Sequence, residues 1–164
     1  MKNKICLKKG SSLVEILVAV FIFTIILGSL ITASNLYLVG AGENLRSTKG
    51  AYLAEEGIEA IKTMRDTNWT NISSLTNNIN YYLYFDTASS TNNMWKATST
   101  IYSTDPTFIR VFKINTVYRD SNGRIVTSGG TLDSNTKKVI ISVSWQSKNT
   151  ITTKTLSTYI TNIL

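Results

Sequence analysis

The sequence predicts an α+β protein in which one long N-terminal helix packs on a small antiparallel sheet of about four strands. The first observation is a continuous helical pattern. No charged residue occurs from Ile16 to Gly42, and apolar residues then recur at helical spacing to about Asp66. The second is a change after Trp69, where short alternating segments are separated by Asn, Ser, Thr and Gly. A helix from about Ser11 to about Asp66 would be about 80 Å long at its usual rise per residue.

The first part of this helix, residues 11–42, is predicted to cross a membrane. Its charge-free run exceeds the roughly 20 apolar residues that span a bilayer. The run is also longer than the apolar region of a cleaved secretory signal, about 7 to 15 residues, so we expect it to be retained. Four lysines precede Gly10, whereas only Arg46 and Lys49 closely follow the run. This bias of positive charge predicts a cytoplasmic N-terminus and an extracytoplasmic remainder.

Residues 43–67 are predicted to continue the helix in amphipathic form. The apolar positions are Leu45, Tyr52, Leu53, Ile58, Ile61 and Met64. We expect the last three of these side chains to pack across the sheet. Glycine destabilises a helix by up to about 1 kcal/mol relative to alanine, so local unwinding is expected near Gly40 and Gly42.

Residues 68–164 are predicted to form a β-rich head. The predicted strands are Tyr81–Asp86, Thr107–Asp120, Lys137–Ser147 and Thr150–Leu164. The third is the clearest, because Val139, Ile141, Val143 and Trp145 alternate with a second set of residues that is mostly polar. The last two strands form a hairpin across a short turn at Lys148. The polar tract 87–105 and the segments around Gly123 and Gly129 are expected to be loops and turns.

The composition argues against most enzyme classes. The chain has no histidine and a single cysteine, Cys6, so it can form no intramolecular disulfide and lacks the commonest general base and zinc ligand. We therefore predict no catalytic residues, no metal site and no cofactor. The acidic residues Glu55, Glu56 and Glu59 are interpreted as a solvated helix face in which Glu59 pairs with Lys62.

The basic net charge belongs largely to the first ten residues. The chain carries 17 basic and 10 acidic residues, a formal charge of +7. Four of the lysines precede Gly10, so the remainder carries 13 minus 10, or +3. This balance gives no confident prediction of a nucleic-acid partner.

Glu15 is the only acidic residue before Glu43 and stands at the edge of the apolar run. One interpretation is a capping box, S-x-x-E from Ser12 to Glu15, with the carboxylate favoured by the positive end of the helix dipole. That interpretation does not account for the basic stretch that ends at Gly10. An ionisable residue in such a segment is normally retained because it has a partner.

The stretch "KKG" followed by "SSLVEILVAVFI" resembles the type III signal of type IV pilins and type II secretion pseudopilins. The resemblance implies that a prepilin peptidase recognises a leader with the charges Lys8 and Lys9, cuts between Gly10 and Ser11, and N-methylates Ser11. Glu15 then becomes the fifth residue of the mature chain, which in this family pairs with the N-terminal amine of a neighbouring subunit during assembly. Ser11 stands where the family usually has Phe or Met.

This resemblance implies a pilin-like fold and a function as a minor pilin or pseudopilin. The segment "AYLAEEGIEAIKTMRDTNW" is similar to the helix end of minor pilins of the modification type. The expected organisation is a leader (1–10), a transmembrane half (11–42), an amphipathic half (43–67) and a head (68–164). The expected location is the inner membrane, in a single pass with a cytoplasmic N-terminus, and after assembly an extracytoplasmic filament.

The expected partners are a prepilin peptidase, other pilin subunits, the inner-membrane assembly platform and membrane lipid. The signal is common to pili, type II secretion and DNA uptake, so these remain open. The alternative is a monomeric protein with one membrane span, whose β-rich head binds a ligand and whose Glu15 only caps the helix.

Three further sequence patterns in the head are interpreted as structural or as chance matches, without a binding function. The segment "RDSNGRI" is predicted to be a plain turn rather than a calcium loop, because Asp120 is followed by no acidic residue until Asp133. The tripeptides at Asn68 and Asn71 match the N-x-S/T glycosylation pattern but are frequent by chance, and the sequence alone assigns them no function. The tryptophans Trp69, Trp95 and Trp145, together with Tyr81, Tyr82 and Tyr84, are predicted to be core.

Overall fold

The computed structural model describes residues 11–87 and 93–163, and it confirms the α+β class. The helices are α1 (Ser11–Thr67) and α2 (Thr70–Ser73). The strands are β1 (Tyr82–Asp86), β2 (Met94–Thr98), β3 (Phe108–Arg119), β4 (Ile125–Val126), β5 (Thr131–Ser147) and β6 (Thr150–Thr161). The chain divides into two compact units between Asn44 and Leu45. The leader residues Lys8, Lys9 and Gly10 lie outside the described residues.

The first unit is helical, and its large apolar side chains are exposed from Leu13 to Val39. Among the described residues, α1 is the one helix that is long and apolar enough to cross a membrane. Four of its hydroxyl groups each donate to a carbonyl one turn earlier at 2.8–2.9 Å, from Thr24, Ser29, Thr32 and Ser34. These internal bonds suit a lipid environment, where no water is present to satisfy polar groups. The helix continues through Gly40 and Gly42, so the predicted unwinding there is wrong.

The second unit contains two antiparallel sheets. One has four strands in the order β4-β3-β5-β6, and the other pairs β1 with β2. A β-bridge between Tyr81 and Phe112 connects the segment before β1 to β3. The predicted hairpin is confirmed, since β5 and β6 pair without a register shift from Ser147 with Thr150 to Thr136 with Thr161. Its turn places Lys148 at a φ of 52°, and β6 forms one edge of the larger sheet.

The strand prediction was incomplete. Ile125–Val126, in a segment predicted as loops and turns, forms β4 and pairs with the end of β3. Residues Met94–Thr98, predicted as loop, form β2 and pair with β1, for example Phe85 with Trp95. β5 begins at Thr131 rather than Lys137, and its register against β3 shifts between Thr116 and Val117. The described sheets therefore hold six strands rather than about four, although the larger sheet alone has four.

The core of the second unit lies between α1 and the larger sheet. The predicted contacts of Ile58, Ile61 and Met64 are confirmed, because all three are buried in one cluster with the inward residues of β3 and β5. The inward side chains of β5 are Val139, Ile141, Val143 and Trp145, as the alternation predicted. By contrast, Leu45 and Tyr52, which share the helical spacing of the apolar positions, are 71% and 67% exposed.

Two glycines of α1 permit this close packing. A Cβ at Gly50 would lie 2.6 Å from Cζ3 of Trp145, and a Cβ at Gly57 would lie 2.9 Å from Cδ1 of Ile141. Residue numbers rise along the helix while they fall along β5 at these contacts. The helix axis and β5 therefore run antiparallel to each other.

Candidate functional site

Glu15 lies in the second turn of α1, among exposed apolar side chains. No hydrogen bond or ion pair joins its carboxylate to any other group within residues 11–87 and 93–163. A carboxylate within the hydrocarbon region costs up to about 3 kcal/mol on insertion scales, and less near the interface. Glu15 is therefore an acceptor without a donor in the described part of the single chain.

The other predicted processing residues are placed only in part. Ser11 is the first described residue and is already helical. Ser12 is also helical, so it does not occupy the N-cap position, whose backbone is non-helical. A carboxylate within the first turns of a helix is favoured by the field of the helix dipole.

The acidic residues of the second half of α1 do not form a carboxylate site. Glu56 pairs with Arg110 at 3.2 Å, and Glu59 pairs with Lys62 at 2.7 Å. The Glu59–Lys62 pair confirms the prediction from i,i+3 spacing. Within the described ranges, no group of three or more His, Cys, Asp or Glu side chains is arranged to hold a metal ion.

Arg110 is a contact residue that the sequence analysis missed. From the inner face of β3 its guanidinium donates to the carbonyl of Leu53 at 3.1 Å and lies 5.6 Å from the ring centre of Trp95. Together with the Glu56 pair, these contacts join α1, β2 and β3. The alternation of Phe108, Arg110 and Phe112 along β3 is the signal that places Arg110 on the inward face.

Two further ion pairs attach loops and strand ends of the second unit. The ammonium of Lys49 lies 2.7 Å from Oδ2 of Asp105, and this hydrogen bond, followed by one from the Thr107 amide, lowers the pKa of Asp105 to about 2. Arg119 lies 2.7 Å from Asp133 and lowers the pKa of that carboxyl. Both pairs join separate segments of the second unit to each other.

The predicted turn at Asp120 is confirmed. The carboxylate of Asp120 accepts the amide hydrogens of Asn122 and Arg124 at 2.9 and 2.8 Å, and Gly123 takes a φ of 77°. The carboxylate therefore stabilises the turn through an Asx-type arrangement.

A groove of about 340 Å³ lies between α2 and β2, with Trp95 and Leu75 among its walls. Its polar side chains are already bonded, because Asn71 donates to the carbonyl of Met64 and Ser74 donates to that of Thr70. Trp95 and Trp69 pack against the core, and Trp145 is part of it, as predicted. The groove thus lacks the convergent free polar groups that orient a small ligand.

Comparison of the chain with protein-family models, with curated proteins and with solved structures finds no match.

Proposed function

We propose that this protein is a minor pilin or pseudopilin. In this proposal it is stored in the inner membrane, with its N-terminus in the cytoplasm, and is processed by a prepilin peptidase between Gly10 and Ser11. The new Ser11 amine is N-methylated, and the mature chain assembles with other pilin subunits on the inner-membrane platform into an extracytoplasmic filament. The chain itself carries no catalytic role in this scheme.

The observation that carries the proposal is the carboxylate of Glu15, which has no partner among residues 11–87 and 93–163 and stands five positions after a basic leader that ends in glycine. A free or methylated terminal amine is largely cationic at neutral pH. Two opposite charges attract strongly where water is scarce, provided that a second chain brings them together. A single unpaired charge of this kind favours the assembled state over the isolated subunit.

The exposure of the first unit supports the same proposal. A helix that is apolar on all sides needs lipid or other helices around it. The side chains from Leu13 to Val39 have no cover within the described chain. Lipid would surround them in the stored precursor, and the corresponding helices of neighbouring subunits would replace the lipid in a filament.

The decisive experiment is intact mass and N-terminal sequencing of the full chain after co-expression with a prepilin peptidase. We expect a chain that starts at Ser11, with or without one methyl group. The matched control is Gly10→Val, which should remain uncut because the added bulk lies at the scissile bond. A wild-type chain that still starts at Met1 or Lys2 would overturn the proposal and favour the anchored binding protein.

A second measurement separates processing from assembly. The Glu15→Gln variant keeps the size and hydrogen-bonding capacity of the side chain but loses its charge. We expect it to be cut normally and to be absent from sheared filaments that contain the wild-type subunit. Incorporation at the wild-type level would show that Glu15 is not the assembly group.

A further inference from the structure

Two N-x-S/T tripeptides lie next to each other after α1, Asn68-Trp69-Thr70 and Asn71-Ile72-Ser73. In exported proteins this tripeptide is the acceptor pattern for N-linked glycans, which are attached at the protein surface. The sequence pattern alone does not distinguish the two asparagines as glycan acceptors. The structure separates them, because their amide groups have different surroundings.

The amide of Asn71 is engaged. Asn71 lies within α2, is partly buried, and donates from Nδ2 to the carbonyl of Met64 at 3.1 Å. The next residue, Ile72, is fully buried in the core. Glycan transfer to Asn71 would require the loss of that hydrogen bond. If Asn71 moved into the active site of a transferase, Ile72 would also be drawn out of the core.

In the side-chain amide of Asn68 the oxygen accepts hydrogen bonds, whereas the nitrogen has no partner among the described residues. Asn68 is exposed and lies in the short connection between α1 and α2. Its Oδ1 accepts the backbone amide of Thr70 at 2.9 Å and the hydroxyl of Thr70 at 2.6 Å. Its Nδ2 donates to no other group in the part of the chain that the structure describes. The nitrogen, which is the atom that a glycan would modify, is therefore the accessible one.

We propose that Asn68 is the acceptor of an N-linked glycan. The donor is an oligosaccharide on a polyprenyl diphosphate, and an oligosaccharyltransferase on the extracytoplasmic side makes the transfer. A bond forms between Nδ2 and the anomeric carbon of the sugar, and the bond from that carbon to the diphosphate oxygen breaks. The diphosphate leaves with the electron pair, and Nδ2 loses one proton to a base of the transferase.

The folded structure tolerates this modification because the oxygen, not the nitrogen, holds the turn. Both hydrogen bonds from Thr70 end on Oδ1, which stays a carbonyl oxygen after transfer. The inference rests on the proposed function in one respect, since it needs the residues after the apolar run to face away from the cytoplasm.

The test uses the full chain, expressed in a bacterial host that has an oligosaccharyltransferase and its lipid-linked glycan, with intact mass and peptide mapping of the purified protein. We expect a glycan mass on the peptide that contains Asn68. Asn68→Asp should lose it completely while retaining an oxygen that accepts the Thr70 amide. Thr70→Ala should also lose it, and Thr70→Ser should retain it.

The matched control is Ser73→Ala, which destroys the second tripeptide and leaves the Asn71–Met64 bond in place. We expect the glycan to remain on this variant. A glycan on Asn71, or an unmodified wild-type chain in cells that modify an exported reporter with the same tripeptide, would overturn the inference.

The same samples report on the proposed function separately. Cleavage after Gly10 changes the mass at the other end of the chain, and protease access in spheroplasts reports the side on which the head lies. A cut, protease-accessible and unmodified chain refutes the glycan alone. An uncut chain with a modified Asn68 refutes the pilin function alone.

Discussion

The two stretches of α1 share one continuous helix but differ in what surrounds them. From Leu13 to Val39 the large apolar side chains are exposed, whereas Ile58, Ile61 and Met64 are buried against the sheet. The glycines differ in the same way: a Cβ at Gly42 would contact nothing within 4 Å, and one at Gly50 would collide with Trp145. Within the described residues, internal packing therefore supports the helical conformation in the second stretch only.

The largest expected effect comes from truncating the buried stretch. Ile61→Ala should lower the free energy of unfolding of the head by about 2–5 kcal/mol, because it leaves a cavity at a fully buried position. The matched change Ile26→Ala, in the exposed stretch, should leave that free energy unchanged. Urea unfolding of the full chain in detergent micelles, followed by tryptophan fluorescence, measures both, since all three tryptophans lie after residue 68. Equal losses in the two variants would remove the distinction between the stretches.

The next largest change in stability is expected from glycine-to-alanine substitutions in α1. Gly50→Ala should destabilise the head, because the overpacking against the Trp145 ring costs about 1–3 kcal/mol and exceeds the helix-propensity gain of about 1 kcal/mol. Gly42→Ala meets no atoms and should leave the head unchanged while helicity is kept or slightly raised. The same urea titration, with far-ultraviolet circular dichroism, measures both variants. A stabilised Gly50→Ala head would show that the helix can move away from the sheet at no cost.

A smaller effect of pH on stability is expected through Asp105 in the second unit. The pKa of Asp105 is lowered from 3.8 to about 2 in the folded protein, so its ionised form favours folding above pH 3.8, and this contribution is lost as the pH falls towards 2. Asp105→Asn removes the contribution at all pH values. Melting temperatures from pH 5 to 2 should therefore fall less steeply for Asp105→Asn than for wild type. Parallel curves would mean that the pair with Lys49 adds nothing to stability.

The smallest change in stability is expected from removing the exposed ion pair between Glu59 and Lys62 on the surface of α1. Glu59→Gln removes the pairing with Lys62 and should cost about 0.5 kcal/mol or less, because both side chains are well exposed. Glu56→Gln, in which the partner Arg110 is largely buried, should cost more. Both are measured by the urea titration at low and high salt. A larger loss for Glu59→Gln would contradict the ranking by burial.

The parts of this fold that were predictable from sequence are those with a local signature. The helix bounds follow from uninterrupted apolar spacing, and the inward face of β5 follows from the alternation of Val139, Ile141, Val143 and Trp145. β2 carries no such signature, because five residues in a polar tract become a strand only through pairing with β1. Leu45 and Tyr52 share the helical spacing of buried residues, yet no sheet residue covers them, and spacing alone contains no information on how far the sheet extends.

The residues of the candidate site were predictable from the sequence only in part. Glu15 stood out because one carboxylate in an apolar run has an obvious energetic cost, and the structure adds that the described chain offers it no partner. The processing residues Gly10 and Ser11 come from a resemblance, and their role stays a prediction. The difference between Asn68 and Asn71 was invisible in sequence, because it depends on where each amide nitrogen donates.

The antiparallel run of α1 and β5 has a mechanical consequence. A force applied along the helix axis and resisted by the sheet acts along the strands, so it loads the β3–β5 and β5–β6 hydrogen bonds in shear. In shear the twelve paired positions of β5 and β6 bear the load together, whereas a perpendicular pull would open them one after another. Resistance to rupture is then governed by the rate of forced unfolding rather than by equilibrium stability. Tension that enters the second unit through residues 45–67 of α1 would therefore be borne by these strand pairs together.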